Sequence, residues 1–226
     1  KSPEEGLAFL DPDTAMCPDT LEAALRAAGA NVLATDLVMS GRTQRAFCNV
    51  RPPGHHAERA RAMGFCFFNN VAVGAAHALE HHGLERVAVL DFDVHLGNGT
   101  EDVFRDDPRV LLCSSYQYPL YPDLNPPSVP GHIVNCPLPP GSGSEAFRAA
   151  VSEQWLPALD AFRPQLLFIS AGFDAHGNDP LADLALNTRD YTWVTGMACD
   201  VAERHCGGKI VSTLEGGYDL TALATS

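Results

Sequence analysis

Basic residues are scarce in this sequence. Fifteen lysines and arginines stand against 28 aspartates and glutamates, which gives a formal net charge of −13. Direct binding to nucleic acid requires a basic face that neutralises phosphates, so the composition argues against a nucleic-acid partner. An acidic surface either serves solubility alone or attracts a cationic substrate such as a polyamine or a lysine-rich tail.

Long apolar runs and paired cysteines are also missing. No run approaches the ~20 apolar residues of a transmembrane helix, and no basic start leads into a short apolar stretch. We therefore expect neither a membrane span nor a secretory signal. The seven cysteines form no C-x-x-C pair, and several lie inside apolar runs. This pattern favours a reducing, cytoplasmic setting over a disulfide framework or a cysteine zinc site.

Short apolar runs alternate with helical segments along the 226 residues, a length that fits one α/β domain. The predicted strands are AFCNV (46–50), RVAVLDF (86–92), RVLLCSS (109–115), HIVNCPL (132–138), QLLFISAGF (165–173) and KIVSTLE (209–215). The predicted helical segments cover residues 17–40, 69–83, 144–162 and 189–208. Strands that are apolar throughout and alternate with helices predict a parallel sheet with helices on both faces.

Polar residues cluster just where the predicted strands end. In open parallel sheets, ligands bind beyond the carboxyl ends of the strands. The polar residues found at these ends are His55, His56, Asp91, Asp93, His95, Asp174 and Tyr218. We therefore expect them at one edge of the sheet. The Pro/Gly-rich stretch 118–131 predicts a long surface loop, and loops of that length are often functional.

The segment DFDVH (91–95) predicts a metal site. Its Asp91, Asp93 and His95 are two residues apart, so along a strand their side chains point the same way. Burying carboxylates beside an imidazole is costly unless a cation compensates. Asp174 adds a carboxylate from another strand end, and three ligands with open positions are typical of catalytic zinc. The alternative, an Asp–His hydrogen-bonded pair in a loop, explains D-x-D-x-H alone but not the added Asp174.

Two further segments carry candidate catalytic groups. Adjacent histidines point apart on a regular strand, so those of RPPGHH (51–56) face one site only if the backbone turns there. Such histidines can exchange protons near neutral pH. By contrast, we interpret His81-His82 as a solvated helix end. In EGGYD (215–219), two glycines deliver a tyrosine that can donate to a developing oxyanion, although such a tyrosine is more often a loop residue.

The segments RPPGHHA, GFCFFNN, DFDVHLGNGT, AGFDAH and EGGYDL, in this order, resemble the histone deacetylase superfamily. The resemblance is greatest to its bacterial class II-like members, which include acetylpolyamine amidohydrolases and acetoin-utilisation proteins. It runs in register from about Leu10 to Leu220. The resemblance implies an arginase-like three-layer α/β/α fold with a mainly parallel central sheet.

The resemblance also implies a role for individual residues. The zinc ligands would be Asp93, His95 and Asp174. His55 and His56 match the tandem catalytic histidines, with His56 favoured as general base and acid. Asp91 corresponds to the carboxylate behind His55, and Asn98 to the partner behind His56. Tyr218 corresponds to the tyrosine that polarises the acetyl carbonyl.

By default, we expect the aromatic side chains of GFCFFNN to lie in the core. Alternatively, one of them is exposed and forms a wall beside the site. The resemblance favours the wall: Gly64 and Phe65 match one side of an acyl-lysine tunnel. Tyr121 stands where the opposite wall is usually Phe. The family also binds a potassium ion near the zinc, and the matching ligands here are the side chains of Asp91 and Ser114 with the carbonyls of Asp93 and His95.

Three departures from the family pattern accompany these matches. Leu96 replaces a second histidine after D-x-D-x-H, at a position that is not a zinc ligand. The loop after Tyr121 reads PDLNPPSVPG where many relatives have a PGTG run, which affects the rim and substrate preference. Family domains begin with a further strand and helix before Leu10 and continue past EGGYDL. We therefore expect residues 1–226 to form a single catalytic domain without those ends.

The expected function is zinc-dependent removal of an acetyl or acyl group from an N-acetylated amine, with release of acetate. Acetyl-lysine in a protein, an acetylpolyamine and other small acyl-amines all fit as substrates, and iron competes with zinc as the native metal. The oligomeric state stays open, with a homo-oligomer among the alternatives. One rival function is a catalytically silent acyl-lysine binding module. Another is a two-metal ureohydrolase, which would require additional bridging carboxylates.

Overall fold

The computed structural model describes residues 2–226 as a small hairpin followed by alternating strands and helices. The hairpin pairs β1 (Ala8–Asp11) with β2 (Thr14–Met16). The main sheet contains β3 (Arg45–Cys48), β4 (Val87–Asp91), β5 (Val110–Gln117), β6 (Ile133–Leu138), β7 (Leu166–Ala171) and β8 (Ile210–Leu214). The helices are α1 (Thr20–Met39), α2 (Asn70–Glu80), α3 (Asn98–Phe104), α4 (Ser144–Ala150), α5 (Leu156–Phe162), α6 (Thr188–His205) and α7 (Leu220–Thr225).

The six main strands are all parallel and lie in the order β3-β8-β7-β4-β5-β6. Side chains alternate between the two faces of this sheet. In β4, Val87 and Val89 join the core beneath α1 and α2, whereas Ala88 and Leu90 join the core beneath α4, α5 and α6. Because both faces are covered, β4, β5 and β7 are buried along their whole length. The predicted three-layer α/β/α fold is confirmed.

Each predicted strand forms, with bounds that differ from the prediction by at most two residues. The predicted helical segment 144–162 is not one regular helix, because a π-helical stretch (Val151–Trp155) separates α4 from α5. Pro157 at the start of α5 has no N–H to donate to the fourth residue before it. The N–H of Leu156 donates to Val151, five residues back, which widens the turn.

Chain direction separates two edges of the molecule. Helices α1 and α2 lead into the parallel strands β3 and β4, so both helices end at the amino edge of the sheet. The loops that follow the strands lie at the opposite, carboxyl edge. Within residues 2–226, no helix is both long and apolar enough to cross a membrane. All seven cysteines carry free thiols, and five of them are buried.

Candidate metal centre and active site

The candidate metal ligands come from two neighbouring strands. β4 and β7 pair in register, with Asp91 opposite Ser170, so the loops that follow them emerge side by side. The first loop carries Asp93 and His95, and the second carries Asp174. His95 Nδ1 lies 3.0 Å from Asp93 Oδ1 and 3.3 Å from Asp174 Oδ2. The structure thus brings the three residues together, with one ligand atom of each within 4.8 Å of the others.

Backbone amides aim the two carboxylates. Asp93 Oδ2 accepts the N–H of Gly216 at 2.8 Å, and Asp174 Oδ1 accepts the N–H of Val94 at 3.0 Å. Both carboxylates are buried. Asp174 Oδ2 is buried and makes no hydrogen bond, although His95 Nδ1 lies 3.3 Å away. Because an unpartnered buried oxygen is costly, this atom is suited to a cation.

The electrostatics of the cluster also favour a cation. Burial, reinforced by the charge of Asp93, raises the pKa of Asp174 to about 6. Burial alone would lower the pKa of His95, but Asp174 and Asp93 outweigh it and raise that pKa to about 10. The cluster therefore retains protons at sites where a metal ion can replace them. Catalytic zinc takes three protein ligands of these types and keeps further positions open, so this donor set fits zinc.

The chain turns after β3, so both tandem histidines line the same pocket. Their ring centroids lie 4.1 Å apart, and both side chains are buried. His55 Nδ1 contacts Asp91 Oδ2 at 3.1 Å, and His56 Nδ1 contacts Asn98 Oδ1 at 2.8 Å. Each predicted partner thus lies behind its own ring. These contacts use the Nδ1 atoms and leave the Nε2 atoms for the pocket.

A buried carboxylate, Glu215, holds this turn. Its Oε2 accepts the N–H groups of Gly54 at 2.7 Å and His55 at 3.1 Å, while Oε1 accepts the hydroxyl of Ser170 at 3.1 Å. Burial raises the pKa of Glu215 to about 7, and the nearby His55 opposes that rise. Sequence reasoning assigned Glu215 no role. The only sequence feature that indicates one is its position directly after β8.

The two histidines differ in their electrostatic surroundings. Burial alone would lower the pKa of His55, but Asp93 and Asp91 outweigh it and raise that pKa well above 6.5. Burial lowers the pKa of His56 well below 6.5, and the charge of His55 adds to this effect. Only a neutral imidazole can accept a proton, so His56 is the better proton acceptor of the pair.

Asn98 fixes the tautomer of His56. The Nδ2 group of Asn98 donates to Glu58 Oε1 at 2.8 Å, which turns its Oδ1 towards His56. An amide oxygen can only accept, so His56 Nδ1 carries the proton and its Nε2 is left with a lone pair. Sequence reasoning missed Glu58, which lies two residues after the tandem histidines. Asn98 opens α3, where the N–H of Gly99 donates to the carbonyl of His55 at 3.0 Å.

The predicted tunnel residues line a pocket of about 230 Å³ together with the tandem histidines; they are Gly64, Phe65 and Tyr121. The ring of Tyr121 lies 5.1 Å from that of His56, and the ring of Phe65 lies 6.3 Å from that of Tyr218, between centroids. Gly64 has a φ of +56°, and a Cβ there would lie 2.4 Å from His56 Cδ2. A side chain at this position would therefore collide with the histidine ring.

Tyr218 is positioned through its backbone. The buried carboxylate of Asp179 accepts the N–H of Tyr218 at 2.7 Å and that of Asp219 at 3.2 Å. The side chain of Tyr218 lines the pocket beside Gly216, whose N–H contacts the metal-ligand cluster. Sequence reasoning missed Asp179, although it lies in the segment that follows Asp174.

Ser114, a predicted potassium ligand, and Leu96, a departure from the family pattern, are both buried. Ser114 of β5 is paired in register with Asp91 of β4. Its hydroxyl is buried and has no hydrogen-bond partner. Leu96, which stands where the family pattern has a histidine, is 1% exposed and packs as an apolar residue.

The whole chain, residues 1–226, matches the family model described as the histone deacetylase domain. A probable deacetylase of Archaeoglobus fulgidus is 41% identical over 94% of this chain and 60% of its own length. A histone deacetylase-like amidohydrolase of Pseudomonas aeruginosa is 43% identical over 95% of this chain and 58% of its own length. The chain thus spans somewhat more than half the length of these relatives.

Similarity to a solved structure agrees with the sequence match. The crystal structure of the HDA15 HD domain superposes with a TM-score of 0.89 and 35% identity. The superposition covers 97% of this chain and 64% of that chain. The family model, the curated relatives and this structure lead to one conclusion: the chain belongs to the histone deacetylase domain family.

Proposed function

We propose that residues 1–226 form one catalytic unit of a zinc-dependent deacetylase, which hydrolyses an N-acetylated amine and releases acetate. The observation that carries this proposal is the convergence of two tandem histidines and a tyrosine on the cluster of Asp93, His95 and Asp174. Relatives named as a deacetylase and an amidohydrolase support the same class of reaction.

The cluster of Asp93, His95 and Asp174 would hold the zinc ion. When bound, zinc polarises an acyl carbonyl and lowers the pKa of a nearby water molecule. His56 is neutral and presents its Nε2 lone pair, so it accepts the proton of the water that attacks the acyl carbon. The hydroxyl of Tyr218 donates to the carbonyl oxygen as negative charge develops there.

The same residues complete the hydrolysis. His56 returns the proton to the nitrogen of the departing amine as the C–N bond breaks, so the water's hydroxyl ends on the acyl carbon and its proton on the amine. The acetic acid formed then ionises to acetate. His55, held by Asp91 and favoured in its charged form, stabilises negative charge beside the reacting carbon. The two histidines therefore divide proton transfer and charge stabilisation between them.

The substrate in this proposal is an N-acetylated amine, either an acetylated lysine in a peptide or an acetylpolyamine. Asp13, in the turn between β1 and β2, lines the pocket, and the net charge of −13 favours cations generally. A relative in Homo sapiens, 39% identical over 92% of this chain and 32% of its own length, is named polyamine deacetylase HDAC10.

A potassium site is a further part of the proposal. Asp91 and Ser114 would supply side-chain oxygens, and Asp93 and His95 would supply carbonyls. The buried, unpartnered hydroxyl of Ser114 supports it, because a cation would satisfy that oxygen.

The rival functions make different demands on the site. An acyl-lysine binding module needs the pocket but neither a proton acceptor nor Tyr218, so the presence of His56 and Tyr218 in the pocket lining supports the enzyme. A two-metal ureohydrolase needs bridging carboxylates; at this edge, the described part of the chain forms one three-residue ligand cluster. The number of metal ions lost by Asp174→Asn separates the two enzymes, since loss of two ions would support the ureohydrolase. Acetate release separates the deacetylase from the binding module.

Two variants test the proposal. Asp174→Asn should lose tightly bound zinc and acetate release together, because it removes a charged ligand. His56→Ala should keep its zinc but lower turnover by ~10²-fold or more, because it removes proton transfer alone. Asp200→Asn, an exposed change on α6, is the matched control and should alter neither property.

Elemental analysis and acetate release measure these outcomes. Full zinc occupancy in Asp174→Asn would remove that residue from the ligand set. Unchanged turnover in His56→Ala would transfer the proton-acceptor role to His55.

A further inference from the structure

A second cluster of potential metal ligands lies far from the pocket, where α1 and α2 end. Asp36 is in the last turn of α1, His77 is in the last turn of α2, and His81 and His82 follow directly. Both helices end at the amino edge of the sheet, opposite the catalytic loops. The four residues, called the α1–α2 histidine cluster below, have ligand atoms that all lie within 4.8 Å of one another.

The three imidazoles converge because of helical spacing. His77 and His81 are four residues apart on one helical face, and their rings stack with centroids 4.7 Å apart and an angle of 11°. The ring of His82 stands nearly perpendicular to both, at 5.3 Å from His77 and 5.1 Å from His81. Two histidines at this spacing on one helix face are a common metal-binding arrangement.

Asp36 supplies a carboxylate from the neighbouring helix. Its Oδ1 accepts hydrogen bonds from His77 Nε2 at 2.7 Å and His82 Nε2 at 2.8 Å. Asp36 Oδ1 therefore contacts the Nε2 atoms of both His77 and His82. Zinc–nitrogen bonds of ~2.0–2.1 Å place the ligand atoms of a tetrahedral site roughly 3.3 Å apart. The ligand atoms of the cluster lie within 4.8 Å of one another, so side-chain rotations would be needed to reach that spacing.

Asp160 makes a comparable contact between two other helices and serves as a comparison. Asp160 of α5 contacts His205 Nε2 at 2.8 Å and Arg204 at 3.1 Å on α6. There, one histidine and one arginine suffice to join the helices. At Asp36 the partners are imidazoles, which bind metals when neutral, whereas arginine cannot.

We propose that the α1–α2 histidine cluster is a second metal site, which binds Zn²⁺ or a similar divalent transition metal through three imidazole nitrogens and one carboxylate. Imidazole ligands suit zinc, copper and nickel better than calcium or magnesium. Because its ligands come from both helices, the bound ion clamps the end of α1 to the end of α2. The site is partly exposed, so metal exchanges there without opening the fold.

Equilibrium dialysis against Zn²⁺, followed by elemental analysis, tests this proposal. The chelator-stripped parent should take up about two zinc ions per chain, and His81→Asn and His77→Asn should each take up about one. His205→Asn is the matched control and should still take up about two. His81 is exposed and lies outside the hydrogen bonds to Asp36, so its variant is the safer one for folding.

The two metal sites can be separated in the same experiment. Asp174→Asn should lose the catalytic ion but keep the second one, and its melting temperature should still rise with zinc. Adding His81→Asn to that variant should abolish the rise, because the site that linked zinc to folding is gone. The proposal is overturned if the second ion persists in the His77→Asn, His81→Asn double variant. It is also overturned if the Asp174→Asn variant takes up no zinc, whatever the fate of the deacetylase assignment.

Discussion

The carboxylate of Asp179 fixes the backbone of Tyr218, with Oδ2 accepting the tyrosine N–H at 2.7 Å. Gly217, between Gly216 and the tyrosine, has a φ of +139°, a conformation that side chains rarely adopt. The tyrosine is thus held by one buried aspartate on a segment that only glycine can form. The proposed oxyanion role of the Tyr218 hydroxyl and the support of the Tyr218 backbone by Asp179 can be tested separately.

Tyr218→Phe should lower turnover of an acetylated amine by about 10²–10³-fold, because it removes one donor to the developing oxyanion. Zinc content and folding should be retained, and binding of a hydroxamate should weaken only modestly. Steady-state acetate release, with zinc analysis on the same sample, checks this. Parent-like turnover in the variant would exclude the oxyanion role.

Asp179→Asn should lower turnover by a smaller factor, about tenfold, because it weakens the hydrogen bonds that position Tyr218 without removing the hydroxyl. The same change made in a Tyr218→Phe background should have little further effect on turnover. This double-mutant comparison identifies a positioning role, since a general loss of stability would reduce activity equally in both backgrounds. Equal losses would contradict it.

Gly216→Ala should weaken zinc binding while the fold survives. A Cβ at this position would lie 2.0 Å from Asp174 Oδ2 and 2.6 Å from Asp93 Oδ2, so both carboxylates must shift. Gly177→Ala is the control, because a Cβ there comes no closer than 3.5 Å to its neighbours. Competition with a fluorescent zinc chelator measures the affinities. Equal affinities in the two variants would argue that the carboxylates are not ligands.

Zinc uptake by the stripped chain should release protons at pH 7. His95 has a pKa of about 10 without metal, so it is protonated at pH 7 and must lose that proton before a ring nitrogen can bind the ion. Zinc affinity should therefore fall as pH falls. Calorimetric titrations in buffers of different ionisation enthalpy count the protons. Release of none would contradict a ligand role for His95.

The fold and the edge that carries the site could be predicted because they depend on local pattern. Buried parallel strands are apolar throughout, and a residue just after such a strand lies at its carboxyl edge wherever the strand sits in the sheet. Asp93 and Asp174 are therefore expected at the same edge of the sheet, although they are 81 residues apart in sequence.

The supporting carboxylates could not be predicted, because they act through contacts distant in sequence. Glu215 binds the amide of Gly54 across 161 positions, and Asp179 binds that of Tyr218 across 39. Nothing in their local sequence marks the partner. The histidines at 81 and 82 show the same limit. Their sequence predicts a solvated helix end, but only His81 is exposed, and His82 contacts Asp36 of α1, 46 positions away.

Acetate release during a zinc titration of the chelator-stripped chain is the direct test of zinc-dependent deacetylation. Acetyl-lysine peptide and N-acetylputrescine are the two substrates. We expect no release without metal and a rate that saturates when the cluster of Asp93, His95 and Asp174 is filled, with Asp174→Asn inactive throughout. The proposal is contradicted if the stripped chain releases acetate at the zinc-loaded rate, or if the zinc-loaded parent binds a hydroxamate yet releases acetate from neither substrate.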